Sequence, residues 1–356
     1  MQIINKLALL ISLAISVSFQ QPRTLKVLCI GDSITQGKVT GDSISELSYR
    51  FWLWEKLDSA GYHVDMLGTN NRWFNEHPTN RIAIPVSQYT GNMFDRDHES
   101  FYGIKSGESL LGGFTHDSVT YPSLHNRLLQ YDKADVAFIQ IGGNDEKSDS
   151  ITTINNLKQI VEELYARNKD MQIILSKLIC PWIVYINHSI EPIIAALKLK
   201  HPGIKLTTVD LASGWVNCPE APGACTLDWV HPNTTGQKQM ADKWFKAFSS
   251  AGDKEKPGFK PNITVSAITD STATIHWNAA TDNKFVQGYT IFLDGKPANW
   301  RYSECGKHDK QCISLVPCTS YLLTGLQKGK KYTVSVAAVD YADNYMTSKD
   351  FKLLIP

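Results

Sequence analysis

Apolar and polar positions along the chain follow two regimes that meet near residue 250. In the first, short apolar runs from Leu25 to Gly31, Val64 to Gly68, Val136 to Ile141, Met171 to Ile179 and Ile204 to Val209 are separated by stretches of helical spacing. Ser43 to Ala60 carries Ile44, Leu47, Phe51, Trp54 and Leu57 on one face, with Gly61 as a stop signal. From Ser150, the residues Ile154, Leu157, Val161 and Leu164 repeat the pattern, Ile190 to Leu199 continues it, and Met240, Trp244 and Phe248 close it. A weaker helical pattern covers Val119 to Leu129. Strands that are apolar almost throughout and alternate with helices specify a parallel sheet covered on both faces, hence an α/β chain folded as a three-layer α/β/α sandwich. In the second regime, Ile263 to Val265, Thr272 to Trp277, Gly288 to Leu293, Ser320 to Leu323 and Tyr332 to Val339 are short β-rich runs divided by turn signals such as Asp294–Gly295. They predict a small all-β sandwich of about seven strands.

The polar segment SSAGDKEKPGFKP lies between the two regimes and has no period. The expected organisation is an N-terminal leader over 1–21, an α/β domain over 22–250, a linker over 251–260 and a β domain over 261–356. The leader MQIINKLALLISLAISVSFQQ places Lys6 before an apolar run from Leu7 to Val17 and small residues at Ser16 and Ser18. This is the layout of a secretory signal peptide, too short and too interrupted by serines for a bilayer span, so the expectation is a secreted, extracellular protein without stable membrane insertion.

Charge narrows the partners by exclusion. Lys plus Arg number 36 and Asp plus Glu 35, so nothing in the balance calls for nucleic acid or an anionic membrane. Export changes how the 7 cysteines read. Cys218 and Cys225 bracket the loop CPEAPGAC and invite a disulfide, and one pair among Cys305, Cys312 and Cys318 can form another. Cys29 and Cys180 lie in or beside apolar runs and read as buried thiols. No CxxC pair or HExxH is present, so neither metal nor cofactor is expected.

Chemistry gathers where the first-regime strands end. Leu25 to Gly37, LKVLCIGDSITQG, delivers Asp32 and Ser33 into a Gly-terminated turn. The run from Val136 ends in Gly142, Gly143, Asn144 and Asp145, and Asp228, Trp229, Val230 and His231 follow the last strand. In a doubly wound sheet these ends share one rim, where ligands bind. Each motif alone has a bland reading, as helix cap, turn residue or surface histidine. Together they supply a hydroxyl, an imidazole and an acid three residues before it, which is the set a serine nucleophile needs.

GDSITQG, the glycine at Gly103, GGND at Gly142 to Asp145 and DWVH at Asp228 to His231 resemble, in order, the four sequence blocks of the SGNH (GDSL-like) hydrolases over roughly residues 24 to 248. The resemblance implies a flavodoxin-like sandwich with Ser33 as nucleophile, His231 as general base and acid, and Asp228 as orienting carboxylate. It further implies an oxyanion hole from the Ser33 and Gly103 N–H groups and the Asn144 amide. Phe101 and Tyr102 precede Gly103 where the family often has a small residue, and Gly107 is the alternative. MLGTNN and DRDHESFYGI are similar to parts of carbohydrate esterase family 3, acetylxylan esterases, with an insertion from Arg72 to Asp95 between them. Trp277, Tyr289, the Gly325–Leu326 turn, Tyr332 and AAVDYADN resemble an immunoglobulin-like fibronectin type III domain.

The resulting expectation is a carboxylic ester hydrolase that removes O-acetyl groups from carbohydrate through an acyl-enzyme. The β domain would give weak glycan or surface binding. A lipid esterase with the same residues, or an inactive adhesion protein, are the competing readings. From Thr69 to Ser100 periodicity disappears, and Trp73, Phe74 and Tyr89 stand there as candidates for a sugar-facing surface or for packing of the loop itself.

Overall fold

The computed structural model describes residues 23–37, 47–73, 94–146, 150–180, 183–298, 300–302, 311–313, 315–316 and 318–356. The expected leader, Phe74, Tyr89 and Cys305 lie outside the described residues.

The central sheet is parallel. β1 (Arg23–Gly31) and β2 (Tyr62–Leu67) pair from Arg23 opposite Tyr62 to Leu28 opposite Leu67. The short β3 (Glu99–Ser100) pairs with the end of β1. The hairpin of β4 (Phe114–His116) and β5 (Val119–Tyr121) lies apart, and β6 (Val136–Gln140), β7 (Gln172–Lys177) and β8 (Lys205–Asp210) complete the order β2-β1-β6-β7-β8. Val27, Leu28, Cys29 and Ile30 on β1 and Val136 to Ile139 on β6 are fully buried, as unbroken apolar strands require when both faces are covered.

The helices supply that cover. α1 (Ser33–Gln36) is a single turn, followed by α2 (Tyr49–Ser59), α3 (Leu124–Leu128), α4 (Ser150–Arg167), α5 (Val184–Lys200) and α6 (Thr234–Ser250). Leu157, Val161 and Leu164 are the buried stripe of α4, as their spacing predicts. Trp244 of α6 is fully buried between Tyr49 of α2, at 6.0 Å, and Phe138 of β6, at 5.2 Å. Such a side chain contributes about 2 to 3 kcal/mol by leaving water.

Two expectations are corrected here. Val119 to Leu129 is not one helix: β5 occupies its first residues and α3 begins only after Pro122, because the residue before a proline favours extended backbone. Cys218 and Cys225 are free thiols. The Cys225 thiol donates to Gln239 Oε1 at 3.4 Å, and that of Cys218 to Glu220 Oε2 at 3.2 Å, so each has a separate polar partner. Cys29 and Cys180 are buried free thiols as expected, and burial pushes Cys29 up to about 12.

The second domain is a β-sandwich. β9 (Thr264–Ser266), β10 (Ala273–His276) and β15 (Ser320–Leu323) form one sheet. The other contains β11 (Val286–Leu293), β12 (Lys296–Pro297), β16 (Lys331–Asp340), β17 (Tyr345–Thr347) and β18 (Phe351–Leu354), while β13 (Trp300–Tyr302) and β14 (Gln311–Ile313) make a separate ribbon. Trp277, Tyr289, Ile291, Val334 and Val336 are in its core. Phe285 and Tyr341 of this domain pack on Phe245 of α6 with ring centroids 5.4 and 5.1 Å away. Among the described residues no helix is long and apolar enough to cross a membrane.

Candidate active site

The strand order reverses at β1: the chain first moves outward to β2, then returns to β6 on the other side. The crevice between the ends of β1 and β6 is therefore the switch point of the sheet. Ser33 follows β1 and Asn144 follows β6, so both stand on this crevice.

Local chemistry fixes the turn that carries Ser33. Asp32 is the N-cap of α1, its Oδ1 accepting the Ile34 N–H at 3.0 Å. Gly31 has no room for a side chain, since a Cβ there would stand 2.1 Å from Thr35 Oγ1 and 2.6 Å from the Gln140 carbonyl. The far end of α1 is held by Arg50, fully buried, whose guanidinium donates to the carbonyls of Thr35 at 2.8 Å, Gln36 at 3.2 Å and Arg96 at 2.9 Å. Burial lowers the Arg50 pKa to about 10.

His231 reaches this turn from the other end of the chain. Its Nε2 is 2.9 Å from Ser33 Oγ, and its Nδ1 is 2.7 Å from Asp228 Oδ2. A carboxylate only accepts, so the Nδ1 proton points to Asp228 and Nε2 is left to accept from the Ser33 hydroxyl. Asp228 Oδ1 also takes the backbone N–H groups of His231 at 2.7 Å and Val230 at 3.1 Å. Partial burial works to raise the Asp228 pKa, but these donors and the imidazole outweigh it and hold the carboxyl below its ordinary value. Trp229, between acid and imidazole, has φ +73° and an exposed side chain. A bulky residue in the left-handed region marks a strained turn.

The third side of the crevice is the turn from Phe101 to Ile104, closed by the Ile104 N–H on the Phe101 carbonyl at 3.3 Å. Gly103 sits in it with φ +68°; a Cβ there would touch nothing within 4 Å, so backbone conformation rather than space calls for glycine. The Tyr102 N–H donates to Gln36 Oε1 at 2.8 Å, and Asn144 Nδ2 donates to the Ile104 carbonyl at 3.2 Å. The N–H groups of Ser33 and Gly103 have no acceptor among the described residues. Gly107, the alternative, lies at a kink in the segment Ser106–Leu111 with non-helical backbone, φ −83° and ψ −119°, and a Cβ there would stand 2.8 Å from Asn156 Nδ2.

All five residues singled out from the sequence are thus joined to one crevice by hydrogen bonds or by the turns they occupy. Gln36 and Arg50 were not singled out. Gln36 is the last polar residue before Gly37, and Arg50 is a lone charge between Tyr49 and Phe51 in the first turn of α2; both patterns also suit an ordinary solvent-facing residue. Trp73 is only 2 % exposed and stacks with Phe94 at 6.3 Å, with Arg50 at 5.4 Å from its ring, so it is packed between these residues and is not a sugar-facing surface.

Asp32 is also buried, and burial raises its pKa from 3.8 to about 7 against the hydrogen bond from Ile34, with Asp145 adding to the rise. Asp145 itself accepts the Ser106 N–H at 2.7 Å and so ties the turn after β6 to the segment after Gly103.

Residues 27–244 match the model of the GDSL-like lipase/acylhydrolase family and residues 255–352 that of the fibronectin type III domain. The chain belongs to the GDSL-like lipase/acylhydrolase family, the SGNH hydrolases, and carries a C-terminal fibronectin type III domain. Chitinase C of Streptomyces lividans is 36% identical over 133 residues, covering 36% of this chain and 19% of that protein. Chitinase 63 of Streptomyces plicatus is 34% identical over 95 residues, 27% of this chain and 13% of that protein. The chain thus spans less than a fifth of the length of either relative. A solved family 3 carbohydrate esterase of Clostridium thermocellum superposes with a TM-score of 0.43 at 21% identity, covering 63% of this chain and 94% of that one.

Proposed function

We propose that the chain is a secreted serine esterase that removes O-acetyl groups from a carbohydrate. The observation that carries this reading is the continuous relay from Ser33 Oγ to His231 at 2.9 Å and from His231 to Asp228 at 2.7 Å. His231 Nε2 takes the Ser33 proton as Oγ attacks the ester carbonyl, and Asp228 stabilises the imidazolium. The oxyanion of the tetrahedral intermediate lies against the Ser33 and Gly103 N–H groups and the Asn144 amide. Its collapse passes the His231 proton to the leaving alcohol and leaves an acyl-Ser33; water, deprotonated by His231, then releases the acid.

A carbohydrate substrate is supported by the likeness of MLGTNN and DRDHESFYGI to acetylxylan esterase sequence, and by the stretches of the chain similar to chitinases. The exposed Trp229 indole beside the relay suits a sugar ring that stays outside the crevice while its acetyl group enters. Export rests on the leader over 1–21, the domain division on 22–250, 251–260 and 261–356, and weak glycan contact on the fibronectin domain.

The test is turnover of acetylated xylan and of p-nitrophenyl esters of graded length by the wild type and Ser33→Ala. Acetate esters are hydrolysed fastest, and Ser33→Ala, folded by circular dichroism, is inactive. Preference for long acyl chains would replace this reading with the lipid esterase; no turnover of any ester would overturn both.

A further inference from the structure

Three acids that the esterase chemistry does not use meet where the two domains join. Asp253 lies just after α6, Asp282 just before β11 and Asp340 at the end of β16, and each offers one carboxylate oxygen within 4.8 Å of the other two. Their outward hydrogen bonds are met on one side. Asp340, 0% exposed, accepts the N–H groups of Ala342 and Asn344 and the Asn344 amide, all at 2.8 Å. Asp282 Oδ1 takes the Lys284 N–H at 2.8 Å, and Asp253 Oδ1 takes the Glu255 N–H at 3.2 Å and the Asn283 amide at 3.1 Å.

The inward side is different. Asp253 Oδ2 and Asp282 Oδ2 each expose less than 1 Å² and have no hydrogen-bond partner among the described residues. None of the ion pairs among the described residues includes these three acids. The Lys284 ammonium extends instead over the Phe248 ring, 5.9 Å from its centroid. Two carboxylate oxygens withdrawn from water without a donor, beside a third carboxylate, are costly until a positive charge stands between them.

We propose that Asp253, Asp282 and Asp340 bind a calcium ion. Oxygen-only donors select a hard cation. The three donor oxygens lie within 4.8 Å of one another, close enough to share one ion, and a set of three carboxylates suits calcium, whereas magnesium is usually held through one or two carboxylates and keeps several waters. The ion joins the segment after α6 to two loops of the fibronectin domain. Phe285 and Tyr341, which follow Asp282 and Asp340 closely, pack on Phe245 of α6. Calcium therefore fixes how the fibronectin domain sits on the hydrolase domain.

The experiment uses the full chain, stripped with EGTA and titrated with CaCl2 by calorimetry and by thermal melting, alongside Asp282→Asn and Asp253→Asn. Both substitutions keep an oxygen for the existing backbone donors and remove one charge. The wild type binds one calcium ion and melts about 5 °C higher with it. Each variant, folded by circular dichroism, loses at least tenfold in calcium affinity together with the thermal shift. Absence of a calcium-dependent heat and melting shift in the wild type up to about 10 mM, above the range of extracellular calcium modules, overturns the site. So does wild-type calcium affinity in both variants, and an equal shift from MgCl2 overturns the choice of ion.

Discussion

Asp32 stands beside Ser33, almost fully buried, with burial raising its pKa from 3.8 to about 7. Between these values the folded chain binds a proton that the unfolded chain has released, so stability falls as pH rises. The penalty is absent below about pH 4 and fully developed above about pH 7; a shift of about 3 units is worth about 4 kcal/mol. Asp32→Asn keeps an oxygen to cap the Ile34 N–H, which Asp32 Oδ1 accepts at 3.0 Å, and cannot ionise. The difference in unfolding free energy between variant and wild type should therefore climb in favour of the variant by about 4 kcal/mol from pH 4 to pH 8. Urea unfolding of both proteins at several pH values measures it, because titrating groups that do not interact with Asp32 cancel in the difference. A difference that stays flat across this window refutes the buried, proton-holding Asp32.

Three further outcomes follow from the same geometry. Gln36 Oε1 receives the Tyr102 N–H at 2.8 Å, so Gln36→Ala loosens the turn bearing Gly103 and should lower kcat by roughly tenfold to a hundredfold with KM within about twofold; a rise in KM alone would contradict this positioning role. In Asp228→Asn the retained oxygen serves the His231 and Val230 N–H groups and an amide NH2 takes the place of Oδ2, the acceptor that fixes the His231 tautomer at 2.7 Å, so kcat on p-nitrophenyl acetate should fall by about 10⁴ without loss of thermal stability. Glu99 and Arg127 are fully buried and joined at 2.8 Å, so Glu99→Gln strands a guanidinium and should cost about 3 to 5 kcal/mol by denaturant titration; a cost below about 1 kcal/mol would refute the buried pair.

The residues that sequence could pick out are those whose signal is local. GDSITQG, GGND and DWVH each announce a turn at the end of an apolar run, and parallel topology alone brings such ends to one rim. Gln36 and Arg50 escaped because their partners, Tyr102, Arg96 and the carbonyls of α1, are set by folding and not by spacing. Trp73 illustrates the reverse: a loop aromatic is a possible sugar surface until the packing of Arg50 and Phe94 around it is seen.

By itself the sequence determined the α/β sandwich and the β domain that follows it, and it marked Ser33, Asn144, Asp228 and His231 as candidates, because hydrophobic period and turn chemistry act over a few residues. Tertiary structure alone decided that Ser33 meets a histidine 198 residues away at 2.9 Å, that Asp32 is driven toward its protonated form, and that Asp253, Asp282 and Asp340 converge. Those outcomes depend on desolvation and on distances between remote segments, and both come into existence only when the chain has folded.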